Sequence, residues 1–296
     1  MGWNLRREEV LDGDQLRAML DESPASAARA ILSAAQANIV DAQALLGQIL
    51  LDGRGIERDP ALALVWFQIA ARHGHAMAQN MAGRCHEHGW GCEPDAAKAA
   101  EHYRLAAEAG LDWGFYNYGN LLATGRGVNK DQARALACYR KAAELGHAKS
   151  MNLVGRYLEE GLCCEQDIDA AHEWYRRSAE GGDFRGQFSH ASVLADHGQV
   201  AEALMWFASA LERGNLNFLR FSTRALMLSI HPEVRAVASD YSRKAAELGD
   251  DTLLAECVGV TYTPAQYSVA TPSITAHHYA QCARPSSVKG GTGCKL

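Results

Sequence analysis

The 296-residue sequence has no apolar stretch that approaches the roughly 20 residues needed to span a bilayer, which excludes an ordinary transmembrane helix. Positive charge is not in excess. The 29 Lys and Arg against 35 Asp and Glu leave a net charge of −6, which argues against a general nucleic-acid binder but leaves room for a local basic patch. Arg6, Arg7, Glu8 and Glu9 stand where a signal peptide needs its apolar segment, so neither export by the usual route nor membrane attachment is expected. Arg6 also occupies the position where a myristoylation motif after Met1-Gly2 wants Ser or Thr. Eight cysteines without a secretion signal point to reduced thiols in a cytoplasmic setting. No nucleophile, base and orienting group fall into a spaced set. No Gly-Lys-Ser/Thr follows Gly53-Arg54-Gly55 or Gly125-Arg126-Gly127, so these are turns rather than phosphate loops. No cofactor is expected.

What the chain does have is glycine at fixed intervals. Gly47, Gly83, Gly119 and Gly155 follow one another at a step of 36 residues, as do Gly53, Gly89, Gly125 and Gly161, and Asp59, Asp95, Asp131 and Asp167. The stretch from Tyr118 to His147 shows the unit plainly: an apolar helix, a turn through Gly125 and Gly127, a second helix beginning near Asp131, and a stop at Gly146. Self-similarity at this period is the mark of stacked helical hairpins, none of which buries its apolar face alone.

The pattern resembles the Sel-one-like repeat (SLR) family, a relative of the tetratricopeptide repeats (TPR). The first clear unit carries it in Leu46-Gly47, Gly53, Gly55-Ile56, Asp59, Trp66-Phe67, Ala70-Ala71 and Gly74-His75, and the fourth in Val154-Gly155, Gly161, Asp167, Trp174-Tyr175, Ala179 and Gly182. The resemblance implies an all-α fold, a right-handed α-solenoid of antiparallel helix pairs, with about twelve to fourteen helices at two per unit. Residues 1–39 read as a degenerate N-terminal capping repeat, 40–250 as an array of about six units, and 251–296 as a C-terminal cap and flexible tail. The fifth unit has a shortened loop: Ala191 to Trp206 spans 15 positions where Gly155 to Trp174 spans 19.

In TPR-like arrays the first helix of each hairpin lines a concave groove, and the same is expected here by resemblance. Counted from the repeat glycine, the groove columns are Asp41, Met77, Trp113, Lys149 and Arg185; Ala44, Asn80, Tyr116, Asn152 and Phe188; and Gln48, Arg84, Asn120, Arg156 and Ser192. Amides, cations and aromatics of this kind suit an extended acidic or C-terminal peptide, and Trp113, Tyr116 and Phe188 are costly to leave in water. The expected function is a non-catalytic adaptor or scaffold that binds a protein or peptide partner. The alternative is a small-molecule or metal-dependent activity on the same scaffold, such as a β-lactamase, although the paired cysteines of the family members linked to β-lactams do not recur here in each unit.

Cys85, His86, His88 and Cys92 are the weak metal candidates, because Cys and His at such separations could share one zinc ion. The register favours packing instead: Cys85 stands in the column of Ile49 and Leu121, His86 in that of Leu50 and Leu122, and Cys92 in that of Ile56 and Val128. Cys163-Cys164 likewise replaces Gly127-Val128, and His277, His278 and Cys282 have no scaffold on which to converge. The terminal Cys294-Lys295-Leu296 is similar to the Ser-Lys-Leu peroxisomal address, but the cytoplasm is the expected compartment.

Overall fold

A computed structural model describes residues 23–250 and Thr252. Thirteen α-helices, and among the described residues no strand, follow in order: α1 Pro24–Gln36, α2 Val40–Asp52, α3 Pro60–Arg72, α4 Ala76–His88, α5 Ala96–Glu108, α6 Asp112–Thr124, α7 Gln132–Glu144, α8 Ala148–Glu160, α9 Ile168–Glu180, α10 Phe184–Asp196, α11 Val200–Arg213, α12 Leu216–Met227 and α13 Pro232–Glu247. The chain divides after Leu145 into two compact units, one holding α1 to α7 and the other α8 to α13. In the first, α2 packs on α3, α4 on α5 and α6 on α7, while α3 also packs on α4 and α5 on α6. In the second, the pairs are α8 with α9, α10 with α11 and α12 with α13. The fold is an α-solenoid of helical hairpins. Apart from Thr252, the expected C-terminal cap and tail at 251–296, with the tail histidines and the Cys-Lys-Leu ending, lie outside the described residues.

The helices keep one length because stop and start signals recur together. Helices α2, α4, α6 and α8 each end at a left-handed glycine. At Gly125 φ is 76°, and its N–H bonds the Leu121 carbonyl at 2.8 Å, closing the last turn. Six residues on, the Asp131 carboxylate accepts a bond from the Arg134 N–H at 2.9 Å and starts α7; Asp59, Asp95 and Asp167 cap α3, α5 and α9 likewise. Each such cap contributes about 1 kcal/mol. Gly127, also left-handed, has no room for a side chain, since a Cβ there would collide with the Ala96 carbonyl at the start of α5.

The repeat glycine of the first helix explains the hairpin's closeness. A Cβ built on Gly119 would lie 2.8 Å from the Tyr139 ring, one on Gly83 2.8 Å from Tyr103, and one on Gly155 2.7 Å from Tyr175. The ring therefore rests on bare backbone. The phenol hydroxyls stay satisfied as the rings bury, Tyr103 donating to Glu87 at 2.6 Å, Tyr139 to the Asn120 side-chain oxygen at 2.9 Å and Tyr175 to Glu159 at 2.7 Å. Arg126, from the following loop, pairs with Glu87 as well.

The helix before the shortened fifth loop differs from its counterparts. Helix α10 ends at His197 without a left-handed cap, and ten consecutive residues, Gly186–Ala195, are buried. A helix covered on all sides has no solvent face to present.

Candidate functional site

The three first-helix columns do not share one environment. The column six residues before the repeat glycine is the outward edge: Asp41 is exposed, Met77 is 41% exposed and Trp113 37%, and Lys149 and Arg185 are half-buried. Trp113 stands edge-on to Tyr116, with ring centroids 5.9 Å apart at 90°. Tyr116, half-buried, also reaches Tyr139 at 6.4 Å, so its orientation is set by the hairpin core.

The middle column corrects part of the sequence expectation. Asn80 and Asn152 are buried, and their side-chain oxygens accept bonds from Asn117 at 2.8 Å and Ser189 at 3.0 Å, one repeat further on in each case. Phe188 is also buried, packed edge-on against Phe207 and Phe218 at 5.1 and 5.6 Å. Asn80 and Asn152 sit in the seam between neighbouring first helices, where an amide must find its partner inside the protein, and Phe188 sits in the core among Phe207, Phe218 and Tyr241. They are not presented to a ligand.

The third column is half-buried and largely engaged. The Arg84 guanidinium lies over the Trp90 ring at 5.0 Å, an interaction between cation and aromatic face that the spacing did not reveal because Trp90 stands in the loop, outside every first-helix column. Asn120 holds the Tyr139 hydroxyl, Arg156 pairs with Glu160 at 3.0 Å one turn on, and Gln48 donates to Asp52 at 2.8 Å. Ser192 is buried and bonds the Phe188 carbonyl. Arg185 covers the Phe184 ring at 4.8 Å. The side-chain oxygens of Asn80, Asn120 and Asn152 thus each accept an internal hydrogen bond, which corrects the expectation that these amides face a ligand through their oxygens.

Of the weak metal candidates, the structure brings together Cys92 and His86, with the sulfur 3.4 Å from Nδ1. Cys85 is buried, its thiol pushed up to about 12 by that burial, and the exposed His88 lies against the Trp90 ring, tilted by 32° with centroids 4.8 Å apart. Among the described residues, no group of three or more His, Cys, Asp or Glu is placed to hold a metal ion. His102, which the spacing did not single out, stacks on His86 with centroids 5.4 Å apart.

A family model, the Sel1 repeat, matches residues 40–75, 76–111, 116–147, 148–183 and 195–215. The chain belongs to the Sel1 repeat family. The matched repeats coincide with the hairpins α2–α3, α4–α5, α6–α7 and α8–α9 and reach into α11, while α12 and α13 lie beyond the match. Among solved structures, a Sel1 repeat protein from Oxalobacter formigenes is similar over 80% of this chain and 100% of its own, at 24% identity and a TM-score of 0.68. The protein c5321, a protective antigen present in uropathogenic Escherichia coli strains and displaying an SLR fold, is similar at 27% identity and a TM-score of 0.59. That likeness covers 81% of this chain and 57% of c5321. Both carry the Sel1 solenoid fold. A comparison with curated protein sequences finds no match. Sel1 repeat proteins as a class mediate contacts between proteins, and no helix among the described residues is long and apolar enough to cross a membrane.

Proposed function

We propose that this protein is a non-catalytic adaptor whose first-helix faces bind a protein or peptide partner. The observation that carries this reading is Trp113, which stays 37% exposed on a helix whose opposite face is tightly packed, with Met77 at 41% exposure one repeat earlier and Tyr116 fixed edge-on beside it. Large apolar side chains grouped on an otherwise polar face are the usual anchors of a binding surface. This face lies within the unit of residues 1–145 and suits an apolar side chain of the partner. The unit of residues 146–296 presents a different face, with Lys149, Arg156 and Arg185 as cations suited to a carboxylate, whether of an acidic segment or of a chain terminus. The five described cysteines are all thiols, which supports action in a reducing compartment such as the cytoplasm.

The test is a display library of C-terminal and acidic peptides screened on the full chain, with binders then measured on variants. Trp113→Ala should weaken a selected peptide by about 2 kcal/mol, roughly 30-fold, and Arg156→Ala should weaken those with a carboxylate. Arg140→Ala, on the exposed face of α7, should change nothing. Equal losses for all three variants, or none for the first two, would place the partner elsewhere.

A further inference from the structure

The second Sel1 repeat departs from its neighbours at three positions that converge in space. His86 stands where the other regular repeats have Leu50, Leu122 and Leu158, Cys92 where two of them have Ile56 and Val128, and His102 where two have Trp66 and Trp174. Packing alone calls for apolar side chains at these columns. The structure turns the exceptions into a chain of contacts: Cys92 Sγ lies 3.4 Å from His86 Nδ1, the His86 ring stacks on His102 with an interplanar angle of 10°, and His102 Nδ1 is 2.7 Å from the Gln79 side-chain oxygen. Gln79 is anchored in turn through its amide nitrogen to the Ala71 carbonyl at 3.2 Å. Cys92 is half-buried, while the imidazole beside it is buried.

We propose that Cys92 is a site of thiol–disulfide exchange with a low-molecular-weight disulfide, with His86 as its general base. With the proton of neutral His86 on Nε2, Nδ1 accepts the Cys92 proton. The thiolate attacks one sulfur of the disulfide, the S–S bond breaks as the new one forms, and the departing thiolate takes the proton back from His86. The products are a mixed disulfide on Cys92 and one free small thiol, so no other oxidant enters.

The surroundings explain why the imidazole is indispensable. Burial raises the Cys92 thiol above its ordinary range, Lys98 opposes this, and Asp95 and Glu93 add to it, so little thiolate exists at neutral pH without a base. Burial and Lys98 lower His86 against the pull of Asp95, and burial with His86 lowers His102 against Glu101; both rings are therefore neutral and able to accept. Cys85, the remaining titratable neighbour, is deeper and contributes its carbonyl, 3.7 Å from Cys92 Sγ.

The full chain is treated with oxidised glutathione near neutral pH, and the rate of mixed-disulfide formation at each cysteine is read by peptide mass spectrometry. The internal standard is Cys163, which is exposed. His86→Leu restores the residue found at this column in three other repeats, so the fold should survive, as circular dichroism would verify. Cys92 should then react about a hundredfold more slowly, the low end for loss of a general base, while Cys163 is unchanged. A second reading needs no variant: relative to Cys163, Cys92 should react faster in the native protein than in concentrated urea. A Cys92 rate that is the same with and without His86, or a native Cys92 that is slower than in urea, overturns the assignment.

Discussion

At the scale of the residue, three positions of one repeat column make the same cap with different chemistry. Before the first helices, His75 and His147 cap α4 and α8 through Nδ1, accepting from the N–H groups of Ala78 and Ser150, whereas the equivalent Asp183 caps α10 with a carboxylate that accepts from Gly186 at 2.9 Å. Asp183 is buried and its second oxygen has no hydrogen-bond partner. Burial outweighs the Gly186 bond and the nearby Arg185 and Lys149, and raises its carboxyl above the usual range. A folded-state value above the unfolded one means that its favourable contribution is present at low pH and is lost as pH rises through the folded value. Asp183→Asn keeps the cap and removes the charge, so it should raise the urea midpoint at neutral pH, with the difference vanishing below about pH 4. A midpoint that falls at neutral pH would show that the charge is favourable where it stands.

At the scale of the element, each hairpin depends on glycine in two distinct ways, and substitutions separate them. Gly119→Val would push its side chain into the Tyr139 ring, 2.8 Å from the first added carbon, and overpacking of this kind costs about 1 to 3 kcal/mol. Thermal and urea denaturation should show the loss; unchanged stability would mean that α6 and α7 tolerate separation. Gly127→Ala and Gly146→Ala give a cleaner contrast. Both residues are left-handed, with φ of 70° and 94°, so both variants pay the conformational cost of about 1 to 2 kcal/mol. Only Gly127 also meets backbone, at Ala96, while nothing lies within 4 Å of a Cβ on Gly146. Gly127→Ala should therefore be the more destabilising, and equal losses would show that the loop gives way. Cys163 in the fourth repeat, with φ of 59°, shows that the left-handed conformation alone does not demand glycine.

At the scale of the whole molecule, a net charge of −6 coexists with Lys149, Arg156 and Arg185 in neighbouring first-helix columns. If these cations hold a partner's carboxylate, affinity for an acidic peptide should fall as ionic strength rises, because exposed pairs are screened beyond about 8 Å at physiological salt. Binding that depends on Trp113 alone should hardly change. Titrations at low and high salt with wild type and Arg156→Ala check this, and a salt dependence that survives the substitution would assign the charge effect to other residues.

The sequence by itself determined the repeat, its period, the two helices of each hairpin and the places where they stop and start. Those features rest on local chemistry: a glycine that must turn left-handed, a carboxylate three residues from the N–H it caps, and apolar residues at helical spacing. The exposed edge through Met77 and Trp113 was legible for the same reason. The fate of the middle column was not. Asn80 and Tyr116 stand at equivalent positions, yet one amide is buried against Asn117 and one ring is half-open beside Trp113. Phe188 became core because α10 is covered on every side and rings from later helices, Phe207, Phe218 and Tyr241, pack against it, and Trp90, which receives Arg84, stands in a loop that no helical periodicity reaches. Tertiary structure alone decided these, since burial and partnership depend on what packs against a column from other elements, which intervals along one chain do not encode.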